Sequence, residues 1–314
     1  MKSDILQILQ CPHCSESLGL KVLASDGREI RRARLLCDGP DRHQFPVEDG
    51  IIRFAAGFNH EAVQREIAYE NSTYSGSRRL VDPKIIAGFP ETMVHLWPHD
   101  RHFGPDFRAL IKNLNFAPDN WVLDVGTAAC WTTRLLAEAG ARPIALDIND
   151  AHYYGLKTAD LLFAVHGVYF ERVLESMTHL PFRNETIDYV IFNASFHHTP
   201  DMPATLRECY RVLKPGGRVA MINEAFASWR HRFLPGGGRL ADLGSHHEIP
   251  YRDLESALRT TGFSVQYGLT HHVRQALRRK LAQGPGCLSA RLLERFPVLL
   301  KQLNSAQVLL TKNR

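Results

Sequence analysis

The reading of the chain turns on Trp121–Asp147, WVLDVGTAACWTTRLLAEAGARPIALD. A short apolar run, Trp121-Val122-Leu123, leads to Asp124 and Gly126, and a turn of small residues, Thr127-Ala128-Ala129-Cys130, follows. Leu135, Leu136 and Ala139 then recur on one side of an amphipathic helix that Gly140 is placed to end. A second apolar strand, Ile144-Ala145-Leu146, finishes in Asp147. Strand, small-residue turn, helix, strand and acid, in that order, make the first half of a nucleotide-binding βαβ unit. Small side chains let a ligand approach the backbone, and the helix N-terminus offers unpaired N–H groups. Asp147, about 20 residues after the turn, is placed to accept hydrogen bonds from a ribose. A purely structural role is therefore disfavoured.

The rest of the chain bounds that reading. Its 314 residues suffice for one large core plus a small accessory module. A formal net charge of +5 is too small to argue for nucleic-acid binding, and it leaves an anionic substrate open. No uninterrupted apolar run approaches the roughly 20 residues of a membrane span. The N-terminus, MKSDILQILQ, lacks the apolar core and small-residue cleavage site of a signal peptide, so the expectation is a cytoplasmic protein. Six cysteines in this length do not make a disulfide scaffold. Cys11, Cys14 and Cys37 gather near the N-terminus, which points to metal.

Residues 1–56 read as a small β module. Cys11-Pro12-His13-Cys14 is a knuckle whose two thiolates can hold one ion from a single tight turn. Cys37, on a returning strand, supplies a third thiolate, and His43 completes the closed tetrahedral set of structural zinc. Asp38 and Asp41 are the alternative fourth ligands. So short a module buries little, and a metal would supply much of its folding free energy. The competing reading is a metal-free hairpin with ordinary thiols. Ile5–Cys14, Leu36-Cys37 and Phe45–Ile51 resemble the zinc-ribbon module of the small activator subunit of tRNA methyltransferases. Arg42–Phe45 also resembles the zinc-binding front of bacterial ribosomal RNA guanine-N1 methyltransferases. The resemblance implies a structural ion in a module that helps hold substrate.

Residues 57–118 read as a helical linker or lid. Asn59 is placed to cap a helix carrying Val63 and Ile67. The run His95, Trp97, His99, His102, Phe103 either borders the substrate or packs a surface. Leu110, Ile111 and Leu114 predict a helix leading into the central strand. Beyond Asp147, Tyr154–Phe163 reads as helix, and Tyr169–Leu174 and Ile187–Phe192 read as strands. A helix centred on Leu206–Leu213 is expected to end at Lys214-Pro215-Gly216-Gly217, before a fifth strand, Arg218–Asn223. Such alternation predicts a parallel sheet with helices on both faces.

Val122–Gly126, Asp147, Leu180-Pro181-Phe182, Asp188–Ile191 and Leu213–Gly217 together closely resemble class I S-adenosylmethionine-dependent methyltransferases. The resemblance implies a seven-stranded, mostly parallel Rossmann-like sheet over 119–314. Its last strand returns antiparallel between the fifth and sixth, after a helical insertion at 273–303. It implies S-adenosylmethionine as cofactor, held around Asp124, Gly126, Ala128, Asp147, Ser176, Met177 and Asn193. The family's second and third turn glycines are replaced by Ala128 and Cys130, and a side chain at a special φ is strained. Ser176 stands where an acid is common, and Met177 resembles the apolar residue that packs on adenine. A dinucleotide dehydrogenase shares this βαβ unit, but its third glycine falls at Trp131.

Methyl transfer from a sulfonium is an in-line displacement, assisted by a base when the acceptor carries a proton. His197 and His198, at the end of the fourth strand, are the candidate bases. Glu224, closing the fifth strand, is a weaker candidate for orienting the acceptor. His246, His247 and Glu248 lack a ligand-specific spacing and read as a polar loop. Arg274, Arg278, Arg279 and Lys280 make one side of a helix basic, which reads first as a solvated face. The leading function is methyl transfer to an oxygen or nitrogen of a small molecule such as a sugar, glycan precursor or secondary metabolite. The alternatives are RNA base methylation, with RNA held by the cysteine module, and a non-catalytic methyltransferase-like partner protein.

Overall fold

The run at Trp121 becomes an interior strand of one large sheet, paired on both sides. The computed structural model describes residues 1–54, 61, 64–65, 67–68, 82–227, 248–281 and 306–313. In chain order the strands are β1 (Leu18–Ser25), β2 (Ile30–Cys37), β3 (Gln44–Glu48), β4 (Ile51–Arg53), β5 (Trp121–Val125) and β6 (Arg142–Asp147). They continue as β7 (Glu171–Leu174), β8 (Ile187–Asn193), β9 (Leu213–Ile222), β10 (Phe226–Ala227), β11 (Ile249–Pro250), β12 (Phe263–Leu269) and β13 (Ala306–Lys312). The helices are α1 (Pro83–Ala87), α2 (Phe103–Leu114), α3 (Trp131–Glu138), α4 (Thr158–His166), α5 (Met202–Val212), α6 (Tyr251–Leu258) and α7 (His271–Leu281).

Among the described residues, eleven strands share the main sheet in the order β1-β2-β3-β4-β7-β6-β5-β8-β9-β13-β12. From β7 to β12 this is the seven-stranded order expected. Strands β5 to β9 pair in parallel, and β13 runs antiparallel to both β9 and β12. β5 is buried at every position, because a parallel sheet carries helices on both faces. Helix α3 ends where expected: Ala139 is its C-cap, and Gly140 follows at φ +87°.

The four N-terminal strands extend this same sheet. β1 to β4 pair antiparallel with one another, and β4 then joins β7 in parallel, Ile52 opposite Val173. A second seam runs along the knuckle. Leu9 bridges Phe182, the Gln10 N–H donates to the Pro181 carbonyl, and Arg183 donates to the Leu9 carbonyl. The N-terminal strands are therefore anchored on the Leu180-Pro181-Phe182 loop as well as on β7. Beneath the first seam lies an ion cluster. Arg172 of β7, fully buried, donates to both Glu29 oxygens and to Asp160, and Arg31 bridges the same two acids.

Two boundaries differ from the sequence expectation. Tyr154–Lys157 is turn rather than helix, and α4 begins at Thr158. A Cβ at Gly155 would lie 2.5 Å from the Ala151 nitrogen, so the backbone there is folded tightly on itself. Lys214–Gly217 is drawn into β9 instead of forming a loop, and Leu213 pairs with Ile187. Pro215 disfavours the helical region for Lys214, and the Lys214 ammonium sits 2.8 Å from Asp188. The expected helix carrying Val63 and Ile67 lies partly, and residues 282–303 of the expected insertion lie wholly, outside the described residues. No helix among the described residues is long and apolar enough to cross a membrane.

Candidate functional site

The parallel strands all end at one side of the sheet, and the candidate residues collect there. Gly126 follows β5 at φ +70°, and a Cβ on it would fall 2.6 Å from the Ser195 Cβ. The turn after β8 is thus folded directly onto the turn after β5, and the Ser195 hydroxyl donates to the Val125 carbonyl at 2.6 Å. Ala128 and Cys130 take the left-handed conformation at φ +44° and +54°, as the missing glycines would. Cys130 is buried at the N-cap of α3, with its thiol 3.4 Å from the Thr127 hydroxyl. Burial pushes that thiol up to about 12.

The two acids of the opening stretch have different surroundings. Asp124 accepts the hydroxyls of Thr132 and Thr133 at 2.7 and 2.6 Å, and burial pushes its carboxyl up to about 6. It ties β5 to the first turn of α3. Asp147 accepts the N–H of Ala128 at 2.8 Å and that of Asn149 at 2.9 Å. It therefore holds the glycine-poor turn against the end of β6, and burial raises its carboxyl despite those two bonds.

The remaining strand ends complete the rim. After β7, the Ser176 hydroxyl meets Thr178 at 2.8 Å, and Met177 is partly buried against the core. Glu175 is 5 % exposed, accepts the Ser176 N–H, and is pushed up to about 7 by burial. At the end of β8 the Asn193 amide oxygen accepts a bond from Asn223. His197 is buried, with Nδ1 2.8 Å from Glu224. The Glu224 carboxylate also receives the N–H groups of Ser195, Phe196 and His197. Burial alone would raise this acid, but the His197 side chain and the backbone donors outweigh it and hold it below the usual value. The His198 ring is tilted against that of His197, with centroids 4.3 Å apart.

Toward the β1 edge of the sheet, Cys11, Cys14, Cys37 and His43 bring one ligand atom each within 4.8 Å of the others. Cys14 lies 3.3 Å from Cys37, sulfur to sulfur, and Cys11 lies 3.5 Å from His43 Nδ1. Ser15, at φ +61°, turns the knuckle, and the Gly39 N–H points at the Cys37 sulfur. A Cβ at Gly39 would crowd the sulfurs of Cys14 and Cys37 at 3.0 and 3.3 Å. The alternative ligands Asp38 and Asp41 are exposed. Three thiols and one imidazole around a common centre fit a tetrahedral soft-ligand ion.

A methyltransferase-domain family model matches residues 123–221, the span from β5 through β9. The matched span carries the expected strand order, the Gly126 turn and the acid after the second strand. The chain carries a class I S-adenosylmethionine-dependent methyltransferase domain. Ubiquinone biosynthesis O-methyltransferase of Serratia proteamaculans is 27% identical over 168 residues, which are 51% of this chain and 69% of that protein. The enzyme of the same name from Yersinia pestis is 30% identical over 159 residues, 48% of this chain and 64% of that protein. The chain thus spans about two-thirds of the length of these relatives. A solved structure of 1,6-didemethyltoxoflavin-N1-methyltransferase from Burkholderia thailandensis, with S-adenosylhomocysteine bound, covers 91% of this chain and 97% of its own. It is 19% identical, with a TM-score of 0.49.

Within the methyltransferase domain, three residues carry more of the rim than their sequence signals suggest. Glu175 stands one position before Ser176, where no motif points. Ser195 looks like a neutral filler until it is found against Gly126. Glu224, expected only as a weaker candidate for orienting the acceptor, proves to be the common acceptor for a whole turn. A run of small and polar residues after a strand, Asn193-Ala194-Ser195, was the one available cue.

Proposed function

We propose that the protein transfers the sulfonium methyl of S-adenosylmethionine to an oxygen or nitrogen of a small molecule, with His197 as the general base. The observation that carries this reading is the His197–Glu224 pair, buried on the turn that packs against Gly126. A carboxylate only accepts, so it holds the proton on Nδ1 and makes Nε2 the basic nitrogen. The acceptor lone pair attacks the methyl carbon, and the C–S bond breaks with its electrons passing to sulfur. The acceptor's proton goes to His197 Nε2, leaving S-adenosylhomocysteine and the methylated product. Asp147 has lone pairs left beyond its two backbone bonds to receive the ribose hydroxyls. Met177 and Ser176 border the adenine, and the turn at Gly126–Ala128 admits the methionine end close to the backbone. The relatives named for O-methylation support an oxygen acceptor. Zinc on Cys11, Cys14, Cys37 and His43 is structural here, holding the knuckle that grips the Leu180–Phe182 loop.

Label from methyl-tritiated S-adenosylmethionine is expected to enter the small-molecule fraction of a cell extract. His197→Ala should lower that rate by about 10²- to 10⁴-fold while leaving cofactor affinity near wild type. Label recovered in RNA and released by nuclease, or a His197→Ala rate equal to wild type, would overturn the proposal.

A further inference from the structure

A second set of metal-ligating side chains is assembled by two helices far apart in sequence. His102 stands at the N-cap of α2, Asp106 lies one turn into that helix, and His272 lies in the first turn of α7. Their ligand atoms fall within 4.8 Å of one another. Asp106 is 1 % exposed, and both its oxygens face His272: Oδ1 accepts the backbone N–H at 2.7 Å, and Oδ2 lies 2.5 Å from Nδ1. The rings of His102 and His272 approach to 4.2 Å between centroids.

We propose that His102, Asp106 and His272 bind a divalent first-row transition ion of the zinc or cobalt type. A helix cap explains the Asp106–His272 pair but not the second imidazole brought against it. His102 Nδ1 lies 3.1 Å from the His99 carbonyl, which can only accept. Nδ1 therefore carries the hydrogen and Nε2 the lone pair, the arrangement in which ligating histidines are held by their outer partners. A cation displaces the proton shared by His272 Nδ1 and Asp106, so binding releases a proton. The cysteine cluster shows the same feature, its donors paired with one another at 3.3 and 3.5 Å. Two imidazoles with one carboxylate select such ions over magnesium or calcium, which prefer oxygen alone.

The location adds a role. β12 runs parallel to β9, since both are antiparallel to β13, and α7 starts directly after β12. The three ligands therefore stand at the carboxyl end of the sheet, the side that carries Asp147 and His197. Three protein donors leave a coordination position open to water or to an oxygen of a bound small molecule, unlike the closed cysteine set.

Cobalt(II) titration of the full-length protein separates the two sites without any methyl acceptor. Wild type should take up two equivalents, one giving thiolate-to-metal charge-transfer absorption and one giving ligand-field bands alone. His102→Ala should lose only the thiolate-free equivalent, and Cys11→Ser only the other. Thermal melts check that each variant is folded. Because His102 is half-buried at a helix cap, its variant guards against the more disruptive loss of His272. Saturation of wild type by the thiolate-bearing equivalent alone, or unchanged uptake in folded His102→Ala, would overturn the proposal.

Discussion

β5 and β7 are buried at every position and β6 at nearly all, whereas β3 alternates between buried and exposed residues and β1 buries only Leu18. The two parts of one sheet are therefore stabilised differently. The parallel core is covered by helices on both faces and draws on apolar burial. The N-terminal hairpins have one open face and depend on what grips their edges: the cysteine cluster, the Leu9–Phe182 bridge and the Arg172 ion cluster. A small β region with too little core to stand alone thus becomes rigid by being joined to a larger one.

Breaking the join tests this contrast most strongly. Arg172→Leu removes a buried cation from between Glu29 and Asp160 and should cost about 3 kcal/mol in chemical denaturation. Hydrogen exchange should then rise in β1–β4 well before β5–β9. An even rise across the sheet would show that the hairpins are not the dependent partner. In the parallel core, Asp147→Ala should weaken S-adenosylmethionine binding by about 10- to 100-fold in calorimetry. The hairpins should stay as protected as in wild type, and unchanged affinity would remove Asp147 from the ribose position.

Glu175 gives a smaller and pH-dependent effect. Its carboxyl is pushed up to about 7 in the folded protein, above its ordinary 4.5. Between those values the folded protein keeps a proton that the unfolded chain has released, so wild type loses stability as pH rises through this window. Glu175→Gln should flatten the curve and be more stable at pH 8 by about 2 kcal/mol in denaturant titrations. A variant as pH-dependent as wild type would place the titrating group elsewhere.

The order β5-α3-β6, the acid closing β6 and the gathering of three cysteines with His43 were all legible from residues alone. Each is a local pattern: an apolar run, a small-residue turn, a spacing between thiols. The left-handed turn positions were legible only as a departure, since Ala128 and Cys130 stand where glycine is expected and yet adopt φ +44° and +54°. Asp147 bonding to Ala128 N–H supplies part of what glycine's freedom would otherwise provide. Glu175 and Ser195 were not marked as rim residues, and Glu224 only as a weaker candidate for orienting the acceptor, because their importance lies in which backbone N–H or Cα hydrogen faces them across the sheet.

By itself, then, the sequence determined the sheet's parallel core, the acid at its carboxyl end and the cysteine and histidine positions that gather near the N-terminus. Periodicity and spacing act over a few residues and survive in any fold that satisfies them. Tertiary structure alone decided that β4 continues onto β7, that Glu224 orients His197, and that His102 and Asp106 meet His272. Those pairings join residues 27 to 170 positions apart, and nothing local in either partner encodes the other. They arise when the helices and strands pack, and buried polar groups then settle on whichever partner can satisfy them.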